Sequence, residues 1–192
     1  GPMAAELSVQ ELIGPHANGC YGCGPYNEKG LKLKSYWIDE ERNPFLGSCR
    51  ATFIPDPSMN GGHPNVTYGG ILACIVDCHS MNTAMAYLYR KEGLSIGDKS
   101  IPPKWCVTKS LKLEYKLPTP VAAIKLTARV TGTRRNRRIV FVETLVESVD
   151  SKGKAVLTVK GHAIAVSISG SNKMNPHPKS HTQKQQQPHS KL

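Results

Sequence analysis

The segment from Tyr68 to Tyr89 constrains this chain more than any other. It opens on Gly69-Gly70, continues through Ile71, Leu72, Ile75 and Val76, and carries a single formally charged side chain, Asp77. Its length and composition predict a helix that ends near Arg90, with Gly93 as the stop and Thr67 as the N-cap. A helix this apolar is buried, and a carboxylate buried without partners costs several kcal/mol. Asp77 therefore needs hydrogen-bond donors or a chemical role. Asp77, His79, Ser80, Asn82 and Thr83 interrupt the apolar run and argue against a membrane span.

The two glycines leave backbone N–H groups bare at the positive end of that helix, where a developing oxyanion can be held. A carboxylate downstream of such a helix start suggests acyl chemistry. Seven helical residues place Gly70 and Asp77 only about 20° apart around the axis but roughly 10 Å apart along it. Both cannot touch one carbonyl, so a site that uses them combines Gly70 of one subunit with Asp77 of another. Ser80, one turn after Asp77, is a candidate for positioning a water. His79 lies about 200° around the helix from Asp77, which makes an Asp–His couple within one chain unsuitable and a core or interface histidine the better reading.

The remainder of the chain reads as strands. Residues 31–38 alternate loosely, and 47–54 form a second candidate. Residues 55–67 hold three Pro, two Gly and two Asn and deliver the chain to the helix as a loop. Val107, Lys109, Leu111, Leu113, Tyr115 and Leu117 alternate with polar residues in the clearest period-2 pattern of the chain. Residues 124–130, 139–149 and 155–167 follow, joined by a basic turn at 132–138 and a hairpin turn at 150–153. The predicted class is α+β, with an antiparallel sheet of about six strands wrapped around one long central helix. A single helix covers only part of such a sheet, and the rest invites dimerisation.

Ahead of this domain (residues 31–168), residues 1–3 read as a cleaved tag scar. Residues 4–30 give a short helix over 6–13 and a Cys/Gly-rich loop, and 169–192 a disordered basic tail. Removing the tail's four Lys from the formal +11 of the 192-residue chain leaves about +7 on the folded part, which suits a polyanionic partner. Arg134, Arg135, Arg137 and Arg138 concentrate that charge at one turn. No nucleic-acid-binding module accompanies it, so nucleic acid is not the expected partner, nor is stable membrane insertion. The six Cys suggest reduced, buried thiols and an intracellular, cytoplasmic setting. Cys20-x-x-Cys23 has half the spacing of a zinc knuckle, with His16 as a possible third ligand. The other half is absent nearby in the sequence, and no metal is expected.

Taken in order, these features resemble the hotdog-fold acyl-CoA thioesterases, of the phenylacetate-pathway and human-type branch within the 4-hydroxybenzoyl-CoA thioesterase-like superfamily. The double glycine with an acid seven residues on is one mark. The others are Cys20-Tyr21-Gly22-Cys23-Gly24 followed by Asn27 and Gly30-Leu31, the strand Ala128–Gly132 running into its basic turn, and the hairpin around Asp150-Ser151-Lys152-Gly153. The resemblance implies an oxyanion donor at the Gly70 N–H and a general base or nucleophile at Asp77. It also implies substrate contacts at Tyr68 and Gly69, and coenzyme A phosphates held by the four arginines. Coenzyme A would be part of the substrate, with no further cofactor, and the assembly a homodimer or a dimer of dimers. The family usually has His where this chain has Tyr68. Asn65 is the candidate upstream polar residue for polarising the thioester. A non-hydrolytic acyl-CoA sensor or scaffold is the alternative; a dehydratase fits less well, because no His stands at the helix start.

Overall fold

The computed structural model describes residues 6–14, 19–38 and 47–168. The tag scar, His16 and the tail at 169–192 lie outside the described residues. A short helix α1 (Val9–Ile13) leads to strands β1 (Tyr36–Trp37) and β2 (Ser48–Phe53), a 3-10 turn (Pro57–Met59) and helix α2 (Gly69–Arg90). Strands β3 (Cys106–Tyr115), β4 (Ile124–Arg134), β5 (Ile139–Val149) and β6 (Ala155–Ser167) complete the domain. All six strands join one antiparallel sheet in the order β1-β2-β4-β5-β6-β3. The α+β architecture read from the sequence is the one observed.

The sheet packs its inner face on α2, burying Leu72, Ile75, Val76, Met81, Met85 and Leu88. Each such side chain contributes about 1.5–3 kcal/mol of apolar burial. α2 is long and apolar enough to cross a bilayer, yet 78% of its most apolar window is buried inside the domain, so it is a core helix. Close approach of helix and sheet depends on Gly161 of β6. A Cβ there would stand 2.6 Å from Val76 Cγ1 and 3.2 Å from Leu113 Cδ2.

Three local expectations change. The extended segment at 31–38 pairs only over Tyr36 and Trp37, because Leu33 and Ser35 are instead tied to the loop and to α1. Thr67 does not cap α2. Its Oγ1 donates to the Pro120 carbonyl, and Tyr68 occupies the cap position with no side-chain cap bond. The alternation of β3 is broken by a bulge between Thr108 and Ser110, where Lys109 is the extra residue.

The polar residues of α2 enter the core with partners. Ser80 Oγ donates to Val76 O at 2.7 Å and meets Thr144 Oγ1 at 2.8 Å, and Thr83 Oγ1 donates to His79 O. His79 Nδ1 meets Ser35 Oγ at 2.8 Å and Nε2 meets Cys49 O at 3.2 Å, while Ser35 is held in turn by Gln10. Nε2, facing a carbonyl, must carry the proton, so Nδ1 accepts from Ser35. This string fastens α1, the 31–38 segment and β2 to the central helix.

Two outcomes follow from this packing. Burial pulls the His79 pKa from 6.5 down to about 4, against the smaller opposing effect of the Cys49 carbonyl. As pH falls below 6.5 the unfolded chain takes up a proton that the folded chain refuses. Stability should therefore decline by up to about 3 kcal/mol between those two pKa values, and this loss should stop below the lower one. Urea midpoints across that range should show a steeper acid decline for the wild type than for His79→Gln. The second outcome concerns Gly161→Leu, which should lower unfolding free energy by about 1–3 kcal/mol through overpacking against Val76, as read by chemical denaturation.

Candidate active site

The start of α2 is built around two tyrosine rings. A Cβ on Gly70 would fall 2.4 Å from Tyr68 Cε1, and one on Gly69 would fall 3.3 Å from the Tyr115 hydroxyl oxygen. Each glycine thus makes room for one ring. Tyr115 Oη also donates to Gly69 O at 2.8 Å. Beyond them, Thr67, Tyr68, Gly69, Leu72, Tyr115 and Leu117 line an open groove of about 440 Å³. Ile71 and Leu72 donate their N–H groups to Tyr68 O, but the N–H groups of Gly69 and Gly70 have no hydrogen-bond partner among the described residues. Gly69 lines the groove and Gly70 adjoins it behind the Tyr68 ring, and two unengaged donors at a helix N-terminus are suited to an oxygen that gains negative charge.

Asp77 is half-buried on α2, and its Oδ1 accepts from Thr108 Oγ1 at 2.5 Å. Burial pushes its pKa above the usual carboxylate value, opposed by the Thr108 hydroxyl and reinforced by the nearby Cys20 sulfur. The β3 bulge sets this contact. Thr108 pairs with Ala165, and Leu111 with Ala163, so both turn toward the helix although they are three residues apart. Strict alternation over 107–117 would have sent Thr108 to the outer face. Thr108 and Tyr115 are the residues the sequence reading missed.

The other candidates are placed as follows. Asn65 is exposed in the loop before α2, where its carbonyl accepts from Val121 N. Ser80 is fully buried with both its hydrogen bonds inside the core, so it faces Thr144 instead of a water beside Asp77. The arginine turn sits at the far end of α2. Arg137 Nη1 donates to Lys91 O at 3.3 Å, just past the helix C-terminus. The 21 residues from Gly70 to Lys91 span about 31 Å of helix, so Arg134, Arg135, Arg137 and Arg138 cannot reach the groove of their own subunit. Arg135, Asn136 and Arg137 all adopt left-handed φ of 51°, 50° and 65°, and Arg134 stacks over Phe141 at 5.4 Å.

The Cys/Gly-rich loop packs on α2 beside Asp77. Cys20, Cys23 and Cys78 gather there, and Cys74 lies one turn before Cys78. The second cysteine pair, absent near Cys20 and Cys23 in the sequence, is supplied by the helix.

No family model matches the sequence, and no curated protein matches it. Solved structures do. A thioesterase family protein from Silicibacter pomeroyi superposes with a TM-score of 0.55 at 13% identity, over 73% of this chain and 87% of that one. An apo-hexameric acyl-CoA thioesterase gives 0.52 at 23% identity, over 69% and 76%. A phenylacetic acid degradation-related protein from Ralstonia eutropha JMP134 gives 0.50 at 19% identity, over 71% and 85%.

The Thr108–Asp77 contact can be tested by a double-mutant cycle. Thr108→Val should cost on the order of 1 kcal/mol in the wild type, by stripping a half-buried carboxylate of its donor. In an Asp77→Ala background the same change should cost close to nothing, and additive effects would count against the contact.

A six-stranded antiparallel sheet closed around one long helix, matched across most of each of these chains, is the hotdog fold, and that is the fold of this protein.

Proposed function

We propose that the protein is an acyl-CoA thioesterase whose active site forms between two subunits. The observation that carries this reading is the half-buried Asp77, oriented by Thr108, on the same helix as the unengaged Gly69 and Gly70 N–H groups. The axial offset of about 10 Å between Gly70 and Asp77 requires a second chain. Among the described residues β3 is an edge strand, paired on one side with β6 and with no strand on the other. Pairing of two β3 edges about a two-fold axis would continue the sheet and lay the two α2 helices antiparallel, Asp77 of one chain toward Gly70 of the other. The likeness to thioesterases of the same fold supports the reaction class, and a hexameric neighbour supports assembly into an oligomer.

In the proposed reaction, the thioester carbonyl oxygen is held by the Gly70 N–H. Asp77 takes a proton from water as the water oxygen adds to the carbonyl carbon. The tetrahedral oxyanion collapses, the C–S bond breaks, and the thiolate of coenzyme A leaves with the proton that Asp77 held. The substrate brings coenzyme A with it, and no other cofactor is required. Tyr68 and Tyr115 provide apolar walls for the acyl chain. The arginine turn can serve the phosphates only from another subunit, whereas Lys116 is the cation that borders the groove within one chain. Six free cysteines accord with an intracellular location.

Tyr68 favours a second reading, acyl-CoA binding without hydrolysis, because its ring fills the space a Gly70 side chain would need, at the position where the resembled family has an imidazole. Thiol release from short, medium, long and aryl acyl-CoAs separates the two. Asp77→Asn should lower kcat/KM by about 10²–10⁴-fold while leaving the melting temperature near that of the wild type. Undiminished turnover in that variant would overturn the role of Asp77. Binding of acyl-CoA by the wild type with no thiol release would select the sensor reading.

A further inference from the structure

We propose that Cys20, Cys23, Cys74 and Cys78 form a structural zinc site that fastens the N-terminal loop to α2. The Sγ atoms of Cys20, Cys23 and Cys78 all lie within 4.8 Å of one another, with Cys20 and Cys78 at 3.6 Å. Four thiolates around tetrahedral zinc, each at about 2.3 Å, stand about 3.8 Å from one another. The observed separation suits that polyhedron and is far beyond the ~2.05 Å of a disulfide bond.

Both halves of the site are preformed by backbone geometry. Cys20 and Cys23 span a tight turn closed by Gly24 N–H to Cys20 O at 2.8 Å, which sends both thiols to one side. Cys74 and Cys78 are one helical turn apart and share a face of α2. The halves meet at Gly22, where a Cβ would stand 2.3 Å from Cys78 Sγ and 3.0 Å from Cys74 Sγ. Both helix sulfurs therefore point at the backbone between Cys20 and Cys23. Cys74 stands just outside the group of three close sulfurs, and a change of its side-chain rotamer would bring it in as the fourth corner. Asn82, one turn after Cys78, donates from Nδ2 to Cys23 Sγ at 3.4 Å and to Cys78 O at 2.8 Å. That is the outer hydrogen bond expected to orient a ligating sulfur.

An all-sulfur donor set selects a soft or borderline ion, and a closed set of four leaves no position for a water, so the role is structural. Binding replaces the thiol protons, which pass to solvent, and no electrons move. The inference is independent of the proposed hydrolysis, and its failure would leave that reading intact.

The test uses the reduced full chain titrated with Co²⁺ and then Zn²⁺. One Co²⁺ per chain with the intense visible bands of a tetrahedral thiolate complex, displaced by one Zn²⁺, is expected. Cys23→Ser should weaken binding at least about 100-fold, whereas Cys106→Ser, at a buried cysteine elsewhere, should not. A measurement on the wild type guards against misfolded variants. Zinc should protect Cys20, Cys74 and Cys78 together from iodoacetamide, mapped by peptide mass, and should raise the melting temperature. Absence of tetrahedral thiolate bands, binding insensitive to Cys23→Ser, or alkylation unchanged by zinc would overturn the proposal.

Discussion

The sheet can close on α2 because that helix brings its polar side chains to the interior with their donors already matched, the Asn82 Oδ1 acceptor alone lacking a partner among the described residues. Ser80, Thr83 and Asn82 each return a hydrogen bond to a carbonyl one turn back, and His79 bridges Ser35 to the Cys49 carbonyl. Without those partners, four polar groups would face an apolar sheet at a cost of one to a few kcal/mol each, on the order of a domain's whole stability. Asp77 is the exception. It faces the margin of the sheet, half in water, with one hydroxyl donor from β3.

The glycines of this chain mark where elements approach one another. Gly161 admits the helix to the sheet, Gly69 and Gly70 admit two tyrosine rings to the helix start, and Gly22 admits the N-terminal loop to the Cys74–Cys78 face. In each case the missing side chain is occupied by a neighbour's atoms. The glycine pair therefore leaves bare N–H groups at the helix start, and Gly69 also lines the aromatic-walled groove. That groove, of about 440 Å³, is open to solvent in the single chain.

Charge and chemistry are separated along α2. The groove lies at the N-terminal end, Asp77 and the cysteine cluster about a third of the way along, and the arginine turn beyond the C-terminus. A single subunit cannot bring the arginines to its own glycines across about 31 Å. Any polyanionic ligand shared between these features must be shared between subunits, which is the strongest structural argument for an oligomer.

The buried helix, its glycine start, its lone acid and the order of the strands were legible in the sequence, because hydrophobic periodicity and length set them locally. The α+β class and the sheet-around-helix arrangement followed, and His79, read as a core or interface histidine, lies in the core. What the sequence could not show depended on contacts between distant segments. Thr108 reaches Asp77 only because one extra residue in β3 reverses the alternation, and no local pattern announces a bulge. Ser80 shares the helix with Asp77, yet Thr144 of β5 claims it. Cys20 and Cys23 find their counterpart pair more than fifty residues away, since helix spacing put Cys74 and Cys78 on one face but only packing brought the loop across it. Periodicity along the chain determined which elements form; the register between them decided which side chains meet.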